Sequence, residues 1–164
     1  MRHILIITVV VCAVAHFASA DFRTDALDRH NELRAEHHAQ PLALKDELNK
    51  FAQKHAEKMA SGRNRFRHSH GKYGENIYMD TNTDVTDSQA AIDATNEWYS
   101  EKSQYSYRSG RFGQKTGHFT QVIWNETKYL GVGVARSKYG VFVCANYDPR
   151  GNVATQFLRN VLAP

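Results

Sequence analysis

Residues 130–147 read LGVGVARSKYGVFVCANY. Leu130, Val132 and Val134 alternate with Gly131, Gly133 and Ala135, which predicts a strand with one large apolar face and one face so small that a helix can lie close against it. Val141 to Tyr147 is apolar on both faces, the pattern of an interior strand. Ser137-Lys138-Tyr139-Gly140 is a hairpin connection between them. The stretch therefore predicts an antiparallel pair in a sheet whose faces need covering.

The covers lie upstream. Residues 26–39 favour a helix, with Thr24 or Asp25 as N-cap, acidic residues in the first turn and Pro41 as its stop. A second helix follows from Leu48, Phe51, Ala52, His55, Ala56 and Met59, which recur at three and four residues, with Gly62 as terminator. Residues 74–79 (GENIYM) read as a short strand. Thr86-Asp87-Ser88-Gln89 has the form of a capping box, with Val85 placed as a staple against Ala90, and opens a third helix to about Lys102. After a polar loop, residues 117–127 (GHFTQVIWNET) supply a short fourth helix. Helices preceding a small antiparallel sheet make an α+β domain in which helices cover the sheet.

The first 20 residues, MRHILIITVVVCAVAHFASA, have the order of a secretory signal peptide cut after Ala20, and their apolar run is shorter than the roughly 20 residues a membrane span needs. Residues 21–164 are expected to form one secreted, extracellular domain. The formal charge of +4 on 164 residues is too small to argue for nucleic acid. Its distribution is uneven: Arg63, Arg65, Arg67 and Lys72 crowd one segment, and Lys102, Arg108, Arg111 and Lys115 another without an acid between them. Such loops suit anionic lipid headgroups or simple solvation. Of the two cysteines, Cys12 leaves with the leader, so Cys144 stands alone as a buried thiol and no intrachain disulfide forms. Asn125-Glu126-Thr127 is a glycosylation acceptor pattern on an exported chain.

Two polar residues stand in unusual places. Glu101 continues the apolar stripe Ala91, Ala94, Thr95, Trp98; such a carboxylate is either solvated at the helix end or turned inward, where it needs a partner. His118 opens the fourth helix, whose dipole favours neutral imidazole; it is either a packing residue or the wall of a site. His68 and His70 flank Ser69 in a basic segment, and Glu75 follows. His55 reads as a satisfied core histidine, and His30, His37 and His38 as a solvated helix face. Nucleophile-elbow, zinc-helix and phosphate-loop motifs are absent.

GHFTQVIWNET, together with NYDPRGNV at 146–153, HNELRAEHHAQPL at 30–42, YGENIY at 73–78 and WYSE at 98–101, resembles the motif set of the CAP superfamily: cysteine-rich secretory proteins, antigen 5 and pathogenesis-related protein 1. The lack of disulfides, LGVGVA and the closing NVLAP are most similar to the Golgi-associated plant pathogenesis-related protein 1 subgroup. The resemblance implies a three-layer α-β-α sandwich with a central cleft. It maps the cleft histidines onto His68 and His118, or His70 in place of His68, and the glutamates onto Glu75 and Glu101, and it implies that the histidines can hold a divalent metal such as zinc. Bridged relatives carry a cysteine where this chain has Ala145; Cys144, one residue away, belongs on the opposite strand face.

Two functional expectations follow from the resemblance. One is a non-catalytic module that binds lipid, sterol or another small ligand, with the basic segments meeting an anionic surface. The other is a metal-dependent hydrolase in which Glu75 or Glu101 serves as general base.

Overall fold

The computed structural model describes residues 21–62 and 65–164; the expected leader and Arg63 lie outside the described residues. Helix α1 (Phe22–Ala35) starts earlier than the periodicity implied, because Asp21 is the N-cap and accepts the Arg23 N–H at 3.2 Å. It also ends earlier. His38 takes the left-handed conformation at φ 55°, and the Ala39 and His38 N–H groups return to the carbonyls of Arg34 and Ala35. That bond pattern closes the helix before Pro41 is reached.

Strand β1 (Ala43–Leu44) leads into α2 (Asp46–Ala60), then β2 (Gly74–Asp80), α3 (Asp87–Ser100), a 3₁₀ turn (Glu101–Gln104) and α4 (Gly117–Val122). The hairpin β3 (Tyr129–Ser137) and β4 (Gly140–Asp148) follows, and a single turn, α5 (Phe157–Asn160), ends the described elements. Half of the expected capping box forms. Thr86 accepts the Gln89 N–H, while the Gln89 side chain turns to Asp93 instead of reaching back.

The sheet runs β1-β3-β4-β2. Three strands are antiparallel, as the alternation predicted; the two-residue β1 pairs in parallel with β3, through Ala43 with Tyr129 and Leu44 with Leu130. Leu130, Val132, Val134, Val143, Ala145 and Tyr147 pack into one core with Ala91, Ala94 and Trp98 of α3 and Ala26 of α1. Phe142 and Cys144 pack on the other face with Ala52, Ala56 and Met59 of α2. This is a three-layer α-β-α sandwich.

The small face of β3 sets the distance to α2. A Cβ on Gly131 would stand 2.2 Å from the Leu48 carbonyl carbon, and one on Gly133 2.3 Å from the Gln53 nitrogen. The backbones meet, and α2 side chains then serve the strand's free edge. Asn49 and Gln53 accept the N–H groups of Val132 and Val134, and Gln53 donates back to the Val134 carbonyl. Cys144 is fully buried, unbridged and on the face opposite Ala145; burial pushes its thiol well up in pKa.

His30 and His37 do not lie on a solvated face. Both are fully buried. His30 Nδ1 donates to the Ala26 carbonyl at 2.7 Å, and its Nε2 lies 2.9 Å from the Tyr147 hydroxyl. His37 Nδ1 donates to the Leu162 carbonyl at 2.7 Å and pins the C-terminal segment. The weak amphipathicity of α1 hid this: its buried face is built from His30, Leu33, Arg34 and Ala26, two of them polar.

Candidate functional site

The third helix ends at Ser100, and its apolar stripe does run on to Glu101, in the first position of the 3₁₀ turn. The carboxylate turns inward. One oxygen accepts the backbone N–H groups of His118 at 2.9 Å and Phe119 at 3.1 Å, and the other accepts His118 Nδ1–H at 2.7 Å. Glu101 thereby takes the place of a side-chain cap for α4, which Thr116 does not provide. Burial raises the pKa of this carboxyl, but the His118 side chain and the two amides outweigh that and lower it on balance.

A second pair has the same form. Glu75, whose side chain is only 7 % exposed, accepts His68 Nδ1–H at 2.9 Å and the Ser69 N–H at 2.8 Å through one oxygen, while the Ser69 hydroxyl donates to the other. Burial pushes its pKa up, yet the donors from His68 and Ser69 prevail and bring it down to about 2.

His68, Glu75 and His118 line one cleft of about 180 Å³, together with Asn76, Phe112 and Asn152. Glu101 stands behind His118 rather than in the cleft wall. His70 lines the neighbouring hollow beside His68 and Arg150, not the cleft that holds His118, so His68 is the histidine that shares a space with His118. His55 is buried and donates to the Arg67 carbonyl, a satisfied core histidine.

Several supports escaped the sequence reading. Asn76 donates to the His118 carbonyl, and Asn152 donates to the Gly117 carbonyl at 2.8 Å while accepting the Thr120 hydroxyl. Gln121 accepts the Gly151 N–H and presses on Gly74, where a Cβ would stand 2.2 Å from its oxygen. These residues fix α4 against β2 and the segment after β4. Each stands within a quoted motif, yet none belongs to a residue type that spacing alone marks as functional. Asn125 is half-buried. Its side-chain oxygen accepts the Gln40 N–H at 3.1 Å, while Thr127 is buried with its hydroxyl on the Pro149 carbonyl.

With Nδ1 committed to a carboxylate, each imidazole keeps Nε2, which bonds no described residue, for a cation or a proton. No group of three or more His, Cys, Asp or Glu donors converges among the described residues.

The family described as "CAP: Cysteine-rich secretory protein family" matches residues 27–147. The chain belongs to the CAP family. Among its CAP relatives, the Golgi-associated plant pathogenesis-related protein 1 of Homo sapiens is 39% identical over 158 residues, covering 90% of this chain and 96% of that protein. The pathogenesis-related protein PRMS of Zea mays is 39% identical over 134 residues, covering 79% and 78%. The CAP fold is equally evident in three dimensions. The crystal structure of NaASP2 with Zn2+ superposes with a TM-score of 0.72 at 25% identity, over 89% of this chain and 88% of that one.

Proposed function

We propose that this CAP protein is a secreted, non-catalytic binding module whose cleft holds a divalent cation, zinc foremost, on the Nε2 atoms of His68 and His118. The observation that carries this reading is the pair of carboxylate–imidazole bonds, Glu75 to His68 and Glu101 to His118, around one cleft. A carboxylate on Nδ1 fixes the ring, selects the tautomer and makes Nε2 a better donor, as outer-shell partners of metal-bound histidines do. Two imidazoles suit zinc chemically and leave its remaining positions to water or to an incoming ligand. Bound there, the cation would supply Lewis acidity toward an anionic or carbonyl group. The zinc present in the NaASP2 structure supports the choice of ion.

The same geometry weighs against a hydrolase built on these glutamates. Each carboxylate is committed to its histidine and to local donors, and Glu75 is held to about pKa 2, whereas a general base works best with a pKa near the operating pH. Ser69 has its hydroxyl on Glu75, not on an imidazole.

The ligand side of the reading is a lipid, sterol or other small amphiphile. Phe112, 56 % exposed, lines the histidine cleft and also an adjoining hollow of about 340 Å³ that holds Arg111 and Lys115. An apolar ring between a cation site and basic side chains suits an anionic headgroup with an apolar tail. Export through a leader at residues 1–20 and a sugar on Asn125 complete the reading; the side-chain nitrogen of Asn125, Nδ2, bonds no described residue.

Zinc calorimetry, peptide and ester hydrolysis, and flotation with phosphatidylserine vesicles test it on residues 21–164. Zinc binding that His118→Ala abolishes, vesicle binding that a Phe112→Ala/Lys115→Glu double variant weakens, and no turnover are expected. Metal-dependent turnover abolished by His118→Ala would instead make the protein a hydrolase.

A further inference from the structure

The outer edge of β2 has no strand neighbour among the described residues. Trp98 Nε1 donates to the Ile77 carbonyl at 3.1 Å from outside the sheet, which identifies Glu75, Ile77 and Met79 as the positions whose backbone faces away from β4. Beyond that one bond, the N–H groups of Ile77 and Met79 and the carbonyl of Met79 have no hydrogen-bond partner among the described residues. Proteins ordinarily cover, charge or kink such an edge, as α2 covers β3 here. Along β2 there is a groove of about 400 Å³ instead, running from Met79 past Ile77 to Glu101 and His118.

Its two walls differ in chemistry. On the α2 side of the sheet stand Met79, 37 % exposed, and Phe66, 43 % exposed, with the Phe66 ring 6.3 Å from that of Phe142. On the α3 side stands Glu97, exposed and without an ion pair among the described residues. Asp80, Asp93 and Glu97 lie near enough to the Tyr78 hydroxyl to raise its pKa further after burial has done so. This acidic wall occurs on a chain whose net charge is +4.

We propose that the β2 edge is a docking strip for an extended peptide of alternating apolar and basic residues, which adds as a fifth strand and runs toward His118. In an added strand, successive side chains fall on opposite faces of the sheet. Apolar residues then meet Phe66 and Met79 while lysines or arginines meet Glu97 and its neighbours; main-chain bonds give affinity and the alternation gives specificity. The strip abuts the proposed cation site at its His118 end, but its main-chain ladder and its two walls use neither an imidazole nor a metal.

The probe is the peptide acetyl-(Lys-Val)₃-Lys-amide, titrated into the mature chain at low salt, with amide exchange read by NMR. Binding should protect the Ile77 and Met79 amides. Of two analogues, N-methylated at the valines or at the lysines, only one should bind, because alternate N–H groups face the added ladder. Met79→Pro removes an edge donor without breaking a bond to β4, and Glu97→Lys inverts the wall; each should weaken binding about tenfold or more. Glu97→Lys, at an exposed site, keeps the test valid if the proline variant fails to fold. His68→Ala, a variant in the proposed cation cleft but outside this groove, and chelator should leave binding intact. No binding at millimolar peptide, binding without protection of Ile77 and Met79, equal binding of both analogues, or indifference to Glu97→Lys would each overturn the proposal.

Discussion

Glu101 holds His118 at two points, its carboxylate accepting the imidazole Nδ1–H through one oxygen and the backbone N–H through the other, and that second oxygen also accepts the Phe119 N–H. The same side chain therefore starts α4 and orients the ring that faces the cleft. Glu101→Gln keeps the shape but loses the charge and much of the hold on Nδ1–H. Zinc affinity is expected to fall about 10- to 100-fold, as for other outer-shell partners, while helix content is preserved. Calorimetry on the two proteins checks this; an unchanged affinity would mean that Glu101 only caps the helix.

His30 should make the protein acid-sensitive. Its Nδ1–H is given to a carbonyl, so Nε2 accepts from Tyr147, and burial holds its pKa near 4 instead of 6.5. As the pH falls through 6.5 the unfolded chain takes a proton that the folded chain refuses until about pH 4. Stability is thus full above pH 6.5 and declines down to about pH 4, by on the order of 3 kcal/mol for this group. Urea unfolding of wild type and His30→Gln between pH 7.5 and 4 checks it. The variant should lose a slope of about one proton, and identical slopes would contradict the assignment.

Arg34 is a buried cation with no carboxylate partner among the described residues. Its guanidinium donates to the carbonyls of Gln40, Val122, Trp124 and Thr127, which tie α1 to the segment after α4. Burial lowers its pKa to about 10, so it stays charged at neutral pH. Lysine cannot reproduce this fork, and unmet buried carbonyls cost about 1–3 kcal/mol each. Arg34→Lys is expected to lose about 3 kcal/mol or more in chemical denaturation. A loss below about 0.5 kcal/mol would show that water replaces the fork freely.

Gly133→Ala would place a methyl against the α2 backbone at Ala52 and Gln53, which no rotamer change can relieve. Overpacking of this kind costs about 1–3 kcal/mol, and the Gln53 bonds to Val134 should open with it. A lowered melting temperature together with faster exchange of the Val134 amide is expected. A neutral substitution would mean that α2 can shift outward at little cost.

The layers of this fold were legible wherever burial imposes a period. The Gly-Val alternation of β3 announced the close helix above it, and the stripe on α2 named its core face in Leu48, Ala52, His55, Ala56 and Met59, although Phe51, at the edge of that stripe, is exposed. Legibility failed where polar atoms do the packing. His30 and His37 looked solvated because hydropathy cannot register a buried side chain whose hydrogen bonds are all met. The two-residue β1 carries no period at all; it is set by Asn31, whose side chain clamps both the N–H and the carbonyl of Leu42. For the site, the stripe ending in Glu101 was a real signal. His68, Glu75, Glu101 and His118, spread over 50 residues of chain, came together only through the family resemblance, since no spacing rule links a loop, a strand, a 3₁₀ turn and a short helix.

The most direct test of the cation site is an anomalous-scattering map at the zinc edge from crystals of residues 21–164 grown with zinc. A peak at bonding distance, about 2.0–2.1 Å, from Nε2 of both His68 and His118 is expected. A map with zinc bound by His70 or by surface residues, and none between those two rings, would contradict it.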